Sequence, residues 1–287
     1  MKRLIIVVLL VGIAAVAGVV RSHTKAGGSL LDVKVFDSNQ STGSAQDEIR
    51  KSFELSPDAR VEVAGINGGV KVETSETQIA EIYIERKASS PEALSRRQIV
   101  IENSPTSLTI RGEKGNGGFF GWFSRSNSSE QVTLRLPRKI SFIAKGVNGA
   151  VSIGEVDGPV EIRGVNGKVE VAQAKGEAHF KGINGNVMVA LTQVDHDRVS
   201  LKGINGNIEL RLDQGINASL EANGMNGRVL SDLPDFFLEK AKHGKYRAQI
   251  GSGGNTISAS GINGNIRLTR SLTTSVPVER TGIESSE

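Results

Sequence analysis

Apolar and polar residues alternate along most of the chain, and at seven places the alternation is interrupted by the same six-residue phrase, G-φ-N-G-x-φ, where φ is apolar. The copies are GINGGV (65–70), GVNGAV (146–151), GVNGKV (164–169), GINGNV (182–187), GINGNI (203–208), GMNGRV (224–229) and GINGNI (261–266). Aligned on Asn67, Asn148, Asn166, Asn184, Asn205, Asn226 and Asn263, they share apolar columns six, four and one residues before the Asn, and three and five after it. Of these 35 positions 34 are apolar, the exception being Ser231, and the residues between them are mostly polar. A period of two on both sides of a Gly-rich corner predicts a strand entering and a strand leaving each corner.

Asn-Gly between alternating apolars is also the strongest local signal for a two-residue hairpin. A meander of hairpins would pair most columns correctly. It would also put the residue before each Asn (Ile66, Val147, Val165, Ile183, Ile204, Met225, Ile262) on the polar face. A corner that turns this column inward avoids that cost. Most Asn-to-Asn spacings are 18 or 21 residues, the period of a stacked-coil architecture. The expected fold is therefore all-β: a single-chain β-solenoid with stacked 18–21-residue coils. Its seven Asn residues are expected to form an inward ladder at roughly 4.8 Å per coil, each amide bonding the next. Gly two before and one after the Asn supplies positive φ or close backbone approach. The segments 154–159, 172–177 and 190–198 are read as loops closing the far corner.

The remaining stretches set the domain plan. Lys2-Arg3 precedes an apolar run, Leu4 to Val20, with Ala15-Val16-Ala17 as a small-x-small site. Residues 1–20 are thus either a cleaved export signal or an N-terminal membrane anchor, and both place the body outside the cytoplasm. Residues 21–51 read as linker, 52–270 as the β domain with insertions at 73–141 and 232–256, and 271–287 as a loose tail. Within the first insertion Ser90-Pro91 opens a short capped helix, with strands at 81–88, 99–103, 107–113 and 131–137. The last two of these are expected to form a hairpin with a Gly/Ser-rich tip.

Composition narrows the chemistry. There is no cysteine, which excludes disulfides, thiolate metal sites and a Cys nucleophile. The formal charge is +4, and cleavage after Ala17 would remove Lys2 and Arg3, leaving 4 − 2 = +2. So small a surplus argues against a nucleic-acid partner. Neither a phosphate loop, zinc spacing nor a nucleophile elbow occurs, and no cofactor or metal is expected.

The phrase G-[IV]-N-G-x-[VI], the entry segment SFELSPDARVEVAGINGGVKV (52–72) and the exit IGSGGNTISASGINGNIRL (250–268) resemble the bacterial putative-adhesin family of β-strand-repeat envelope proteins. The resemblance spans Ser52 to Leu268. It implies a β-solenoid exported to the cell envelope, generally without assigned enzymatic activity, and it brings no catalytic residues. The aromatic tip at 115–130 departs from the family pattern.

Two surface features are candidates for contact with an envelope polymer, a lipid surface or a protein partner. Three residues before the Asn, in four successive copies, stand Lys145, Arg163, Lys181 and Lys202. They predict a row of cations about 5 Å apart, open to an anion or balanced by Glu161, Glu170 and Glu209. The second feature is Phe119, Phe120, Trp122 and Phe123, which either cap a solenoid end or form an exposed contact. The leading expectation is a non-enzymatic adhesion or interaction scaffold. One alternative is a structural protein that stacks end to end. The other is a carbohydrate-active enzyme using Asp157, Asp195, Asp197 or Asp213, with His196 between two of them.

Overall fold

The computed structural model describes residues 44–114, 128–240 and 244–271. In chain order the elements begin with β1 (Ala45–Glu54), β2 (Ala59–Ala64), β3 (Val70–Ser75), β4 (Ile79–Ala88), α1 (Pro91–Ser95), β5 (Arg97–Ser104) and β6 (Ser107–Lys114). They continue with β7 (Ser128–Pro137), β8 (Ile140–Val147), β9 (Val151–Val156), β10 (Val160–Val165), β11 (Val169–Asn184) and β12 (Val187–Asn205). The last are β13 (Ile208–Leu212), β14 (Ala218–Asn223), β15 (Val229–Ser231), β16 (Phe236–Lys240), β17 (Tyr246–Ile250), β18 (Asn255–Asn263) and β19 (Ile266–Arg270).

The strands form two mixed sheets. Strands that lead into a corner pair in the order β5-β6-β2-β8-β10-β11-β12-β18-β14-β17-β16, and we call this the entry sheet. Strands that leave the corners pair as β1-β4-β7-β3-β9-β11-β12-β13-β19-β15, the exit sheet. The middle of each sheet is parallel, while β1, β4, β5, β16 and β17 add antiparallel strands at the ends. Strands β11 and β12 belong to both sheets, bending between them with register shifts from Val171 to Ala178. The far corners expected as loops are therefore continuous strand in these two coils.

All 34 apolar column residues are buried, including the decisive column of Ile66, Val147, Val165, Ile183, Ile204, Met225 and Ile262. Burying a Val or Ile contributes about 1.5–3 kcal/mol, whereas a hydrogen bond adds about 0.5–1.5 kcal/mol net. The columns therefore hold the sheets together, and the corner bonds fix register.

Three expectations need correction. Strands β6 and β7 do not form a hairpin: β6 pairs with β5 and β2, and β7 with β4 and β3. The chain crosses there from one sheet to the other, so the first insertion builds a further layer rather than standing outside the stack. The linker ends earlier than expected, because β1 pairs with β4 over its whole length. Its alternation is weak because only Ile49 and Phe53 reach the core, and those only in part. The second insertion is a β16–β17 hairpin on the end of the entry sheet, leaving Phe237 69% exposed on the outer strand. The Asn ladder, finally, lies outside. With the preceding residue turned inward, alternation sends the Asn outward, and all but the half-buried Asn67 are exposed.

The short helix is as expected, with Ser90 as N-cap accepting from the Ala93 N–H at 3.2 Å. Among the described residues no helix is long and apolar enough to cross a membrane. Residues 1–20, expected as export signal or anchor, the aromatic residues Phe119, Phe120, Trp122 and Phe123, and the residues beyond Ser271 lie outside the described residues.

Candidate functional site

The corner is built from two glycines with different duties. The one before the apolar residue takes φ near +60°, as at Gly203 (+60°), a conformation that costs an L side chain about 1–2 kcal/mol. The one after the Asn is needed for space: a Cβ on Gly206 would overlap the Gly185 carbonyl oxygen of the neighbouring coil. That closeness lets the amides meet. Asn148 Nδ2 donates to Asn67 Oδ1 at 2.8 Å, Asn166 to Asn148 at 2.9 Å, Asn184 to Asn166 at 3.0 Å and Asn205 to Asn184 at 2.9 Å.

The next rung is out of sequence order. Asn263 donates to Asn205 at 2.8 Å, and Asn226 to Asn263 at 3.1 Å. The last copy of the repeat is thus threaded between the fifth and sixth, with β18 between β12 and β14 and β19 between β13 and β15.

At the Asn67 end the amide ladder closes on backbone, Asn67 Nδ2 donating to the Ser128 carbonyl oxygen, while the Asn67 main chain meets an ion pair. In the interior coils the Asn backbone N–H finds a carbonyl of the neighbouring coil, as Asn148 does with Ile66 at 2.8 Å. For Asn67 the acceptor is Glu130 Oε2, at 2.8 Å. Glu130 is only 2% exposed, and Arg97 meets both its oxygens while also donating to the Gly65 carbonyl. A carboxylate thus stands in for the missing coil. One row further out, Arg86 pairs with Asp47 and donates to the Arg97 carbonyl at 2.7 Å. Neither contact is predictable from the repeat, since the residues involved lie outside it.

On the outer face of the entry sheet, pairing aligns Lys145 with Arg163, Arg163 with Lys181, and Lys181 with Lys202. The four cations therefore form one row, at roughly the 4.8 Å strand spacing. Their partners differ. Lys145 Nζ lies 3.2 Å from both carboxylate oxygens of Glu62, a residue the sequence pattern did not single out. Burial pushes the Glu62 carboxyl up, but hydrogen bonds from Lys145 and Arg60 outweigh it and hold the group below the ordinary carboxylate range. This pair is therefore closed at neutral pH and opens only in acid. Arg163 pairs with Glu161. Lys181 and Lys202 are exposed, and no carboxylate among the described residues pairs with either. Glu170 and Glu209, expected to balance the row, lie on the exit sheet with Lys168 and Arg211.

Among the described residues, the remaining candidates Asp157 and Asp213 are not gathered into a site. Asp157 faces Arg138, which also meets Glu155 at 2.8 Å. Asp195, His196 and Asp197 lie within β12, with side chains outside the described set, and Asp213 follows β13. Among the described residues no three His, Asp or Glu side chains are grouped to hold a metal. The exit sheet carries a shallow depression of about 240 Å³ over Ala172, Met188 and Ala190, below the roughly 300–1,000 Å³ of ligand pockets.

No family model and no curated protein matches the chain. Solved structures do align with it. One described as a "putative cell adhesion protein" from Clostridium sporogenes ATCC 15579 is 16% identical, over 79% of this chain and 100% of that one, at a TM-score of 0.40. A "putative adhesin" from Bacteroides fragilis NCTC 9343 is 13% identical over 77% and 97% of the two chains, with TM-score 0.27. A "putative lipid binding protein" from Parabacteroides distasonis ATCC 8503 is 9% identical over 78% and 97%, with TM-score 0.28. Likeness this loose carries no argument about function, which is left to the residues themselves.

Proposed function

We propose that this protein is a non-enzymatic β-solenoid of the cell envelope, an adhesion or interaction scaffold whose entry sheet meets an acidic polymer. The observation that carries this reading is the row Lys145–Arg163–Lys181–Lys202, held in register by parallel pairing, with its last two members lacking a carboxylate partner among the described residues. Like charges one strand apart repel, and parallel pairing fixes the backbone spacing from which they project. An acidic polymer running along the stack would relieve the repulsion by meeting a cation on each strand. The apolar run Leu4 to Val20 supports an extracytoplasmic location, as signal or anchor.

The test is charge reversal in mid-row. Arg163→Glu with Lys181→Glu is expected to abolish binding of the full chain to polyglutamate at physiological salt. Wild-type binding should itself weaken as salt is raised, over the roughly 8–10 Å screening range of that ionic strength. Unchanged binding by the double variant would remove the row from the function.

A further inference from the structure

The coils of Asn184, Asn205 and Asn263 are neighbours in the stack although the last is remote in sequence. All three carry a second Asn two residues on, namely Asn186, Asn207 and Asn265. Threading brings these together as a second column. Asn186 Oδ1 accepts the Asn207 N–H, Asn207 Oδ1 the Asn265 N–H, and Asn265 Oδ1 the Arg228 N–H, each at 2.9 Å. The carbonyl halves of these amides are thus tied to backbone. Their NH₂ halves are exposed, and no acceptor among the described residues takes them. In the first column each Nδ2 spends one N–H on its neighbour and keeps the other.

The ridge therefore presents a double line of fixed amide donors. Lys181 and Lys202 flank it in two of the same coils, three residues before Asn184 and Asn205. Exposed Arg228 stands in the next coil, at the end of the second column.

We infer that this ridge is a binding subsite for a linear carboxylated polysaccharide lying along the coil stack. The lysines take its carboxylates, and the amide donors take sugar hydroxyl and ring oxygens. The inference rests on the reading of the cationic row as a contact surface, and it names the ligand. Three features favour a polysaccharide over a lipid headgroup layer. The donors run in lines from coil to coil, whereas a membrane presents a plane. The rest of the entry face is of mixed sign, with Glu62 and Glu161 beside the row. The amides are held by the ladders, so little side-chain freedom is lost on binding.

Binding of the full chain to polygalacturonate, to its uncharged methyl ester and to phosphatidylglycerol vesicles separates these terms. Wild type is expected to bind polygalacturonate well and the methyl ester more weakly. Lys181→Ala with Lys202→Ala should lower polygalacturonate affinity about tenfold, the loss of charge-assisted contacts, and leave methyl-ester binding unchanged. Asn207→Asp with Asn265→Asp keeps the Oδ acceptors that hold the next coil while removing the donors. It should lower methyl-ester affinity about tenfold, and a single Asn207→Ser variant should lower it in the same direction. If the Asn variants bind the methyl ester like wild type, or if vesicles are bound and polygalacturonate is not, the amide ridge is no polysaccharide subsite. The cationic reading would survive the first of these results. If instead the Lys variants bind polygalacturonate like wild type, the cationic reading itself is overturned.

Discussion

At the scale of single residues the corner separates two reasons for using glycine. A Cβ on Gly206 would overlap the Gly185 carbonyl oxygen, a backbone atom tied into the sheets. At Gly203 the same Cβ meets nothing closer than 3.9 Å, and the obstacle is the backbone angle of +60°. Gly206→Ala should therefore force neighbouring coils apart and destabilise by about 3 kcal/mol, the upper end for overpacking. Gly203→Ala should cost about 1–2 kcal/mol for the left-handed conformation, and Gly203→Asn less, since Asn tolerates that region better. Urea titrations of the three variants would establish the order. Equal losses at Gly206 and Gly203 would contradict the division of duties.

At the scale of elements, the end of the ladder depends on a pair that belongs to no repeat. Removing one partner of a buried pair typically costs about 3–5 kcal/mol, while a partly exposed surface pair such as Arg163–Glu161 is worth about 1 kcal/mol. Glu130→Ala should thus lower stability several-fold more than Glu161→Ala and deprotect the Asn67 amide in hydrogen exchange. If Asn67 stays protected, the cap is elsewhere. This element also marks the limit of what the sequence could reveal. The inward columns were legible because burial on both sides of a corner leaves a period-two record in Val, Ile and Leu. Strand β1 was not, since an edge strand buries little and its polar residues carry no such record. The pairing of β6 and β7 was misread for a related reason: a Gly-rich break shows where the chain turns but not onto which sheet. The cationic row was visible as a column of residue types. Of its counter-charges, Glu161 was legible beside Arg163, whereas Glu62 was not, because the first insertion separates its strand by some eighty residues from the Lys145 strand with which it pairs.

At the scale of the whole molecule, the order of stacking was hidden for a simple reason. The corners at 203–208 and 261–266 are identical, so nothing in the phrase ranks them. The structure places them side by side, with the earlier GMNGRV coil outside both. In an ordinary coil stack the last unit can be trimmed with loss of one interface. Here deletion of 255–287 would remove β18 and β19 from the interior of both sheets, stranding β14 and β15 without parallel partners. The truncated chain should lose both coils from the cooperative unit, seen as a fall in urea m-value larger than one coil's share of surface. A fall no larger than that share would argue for the sequential order. Threading also has a meaning in time. A chain emerging from its N-terminus completes the Asn226 corner 37 residues before the Asn263 corner that must lie beneath it. Through that interval the exposed edge of the Asn205 coil offers the same amide and the same glycine gap to whichever repeat arrives first. The sixth repeat must either stand off or dock early and leave again, so the protein's own regularity creates a decoy that its last strands have to displace.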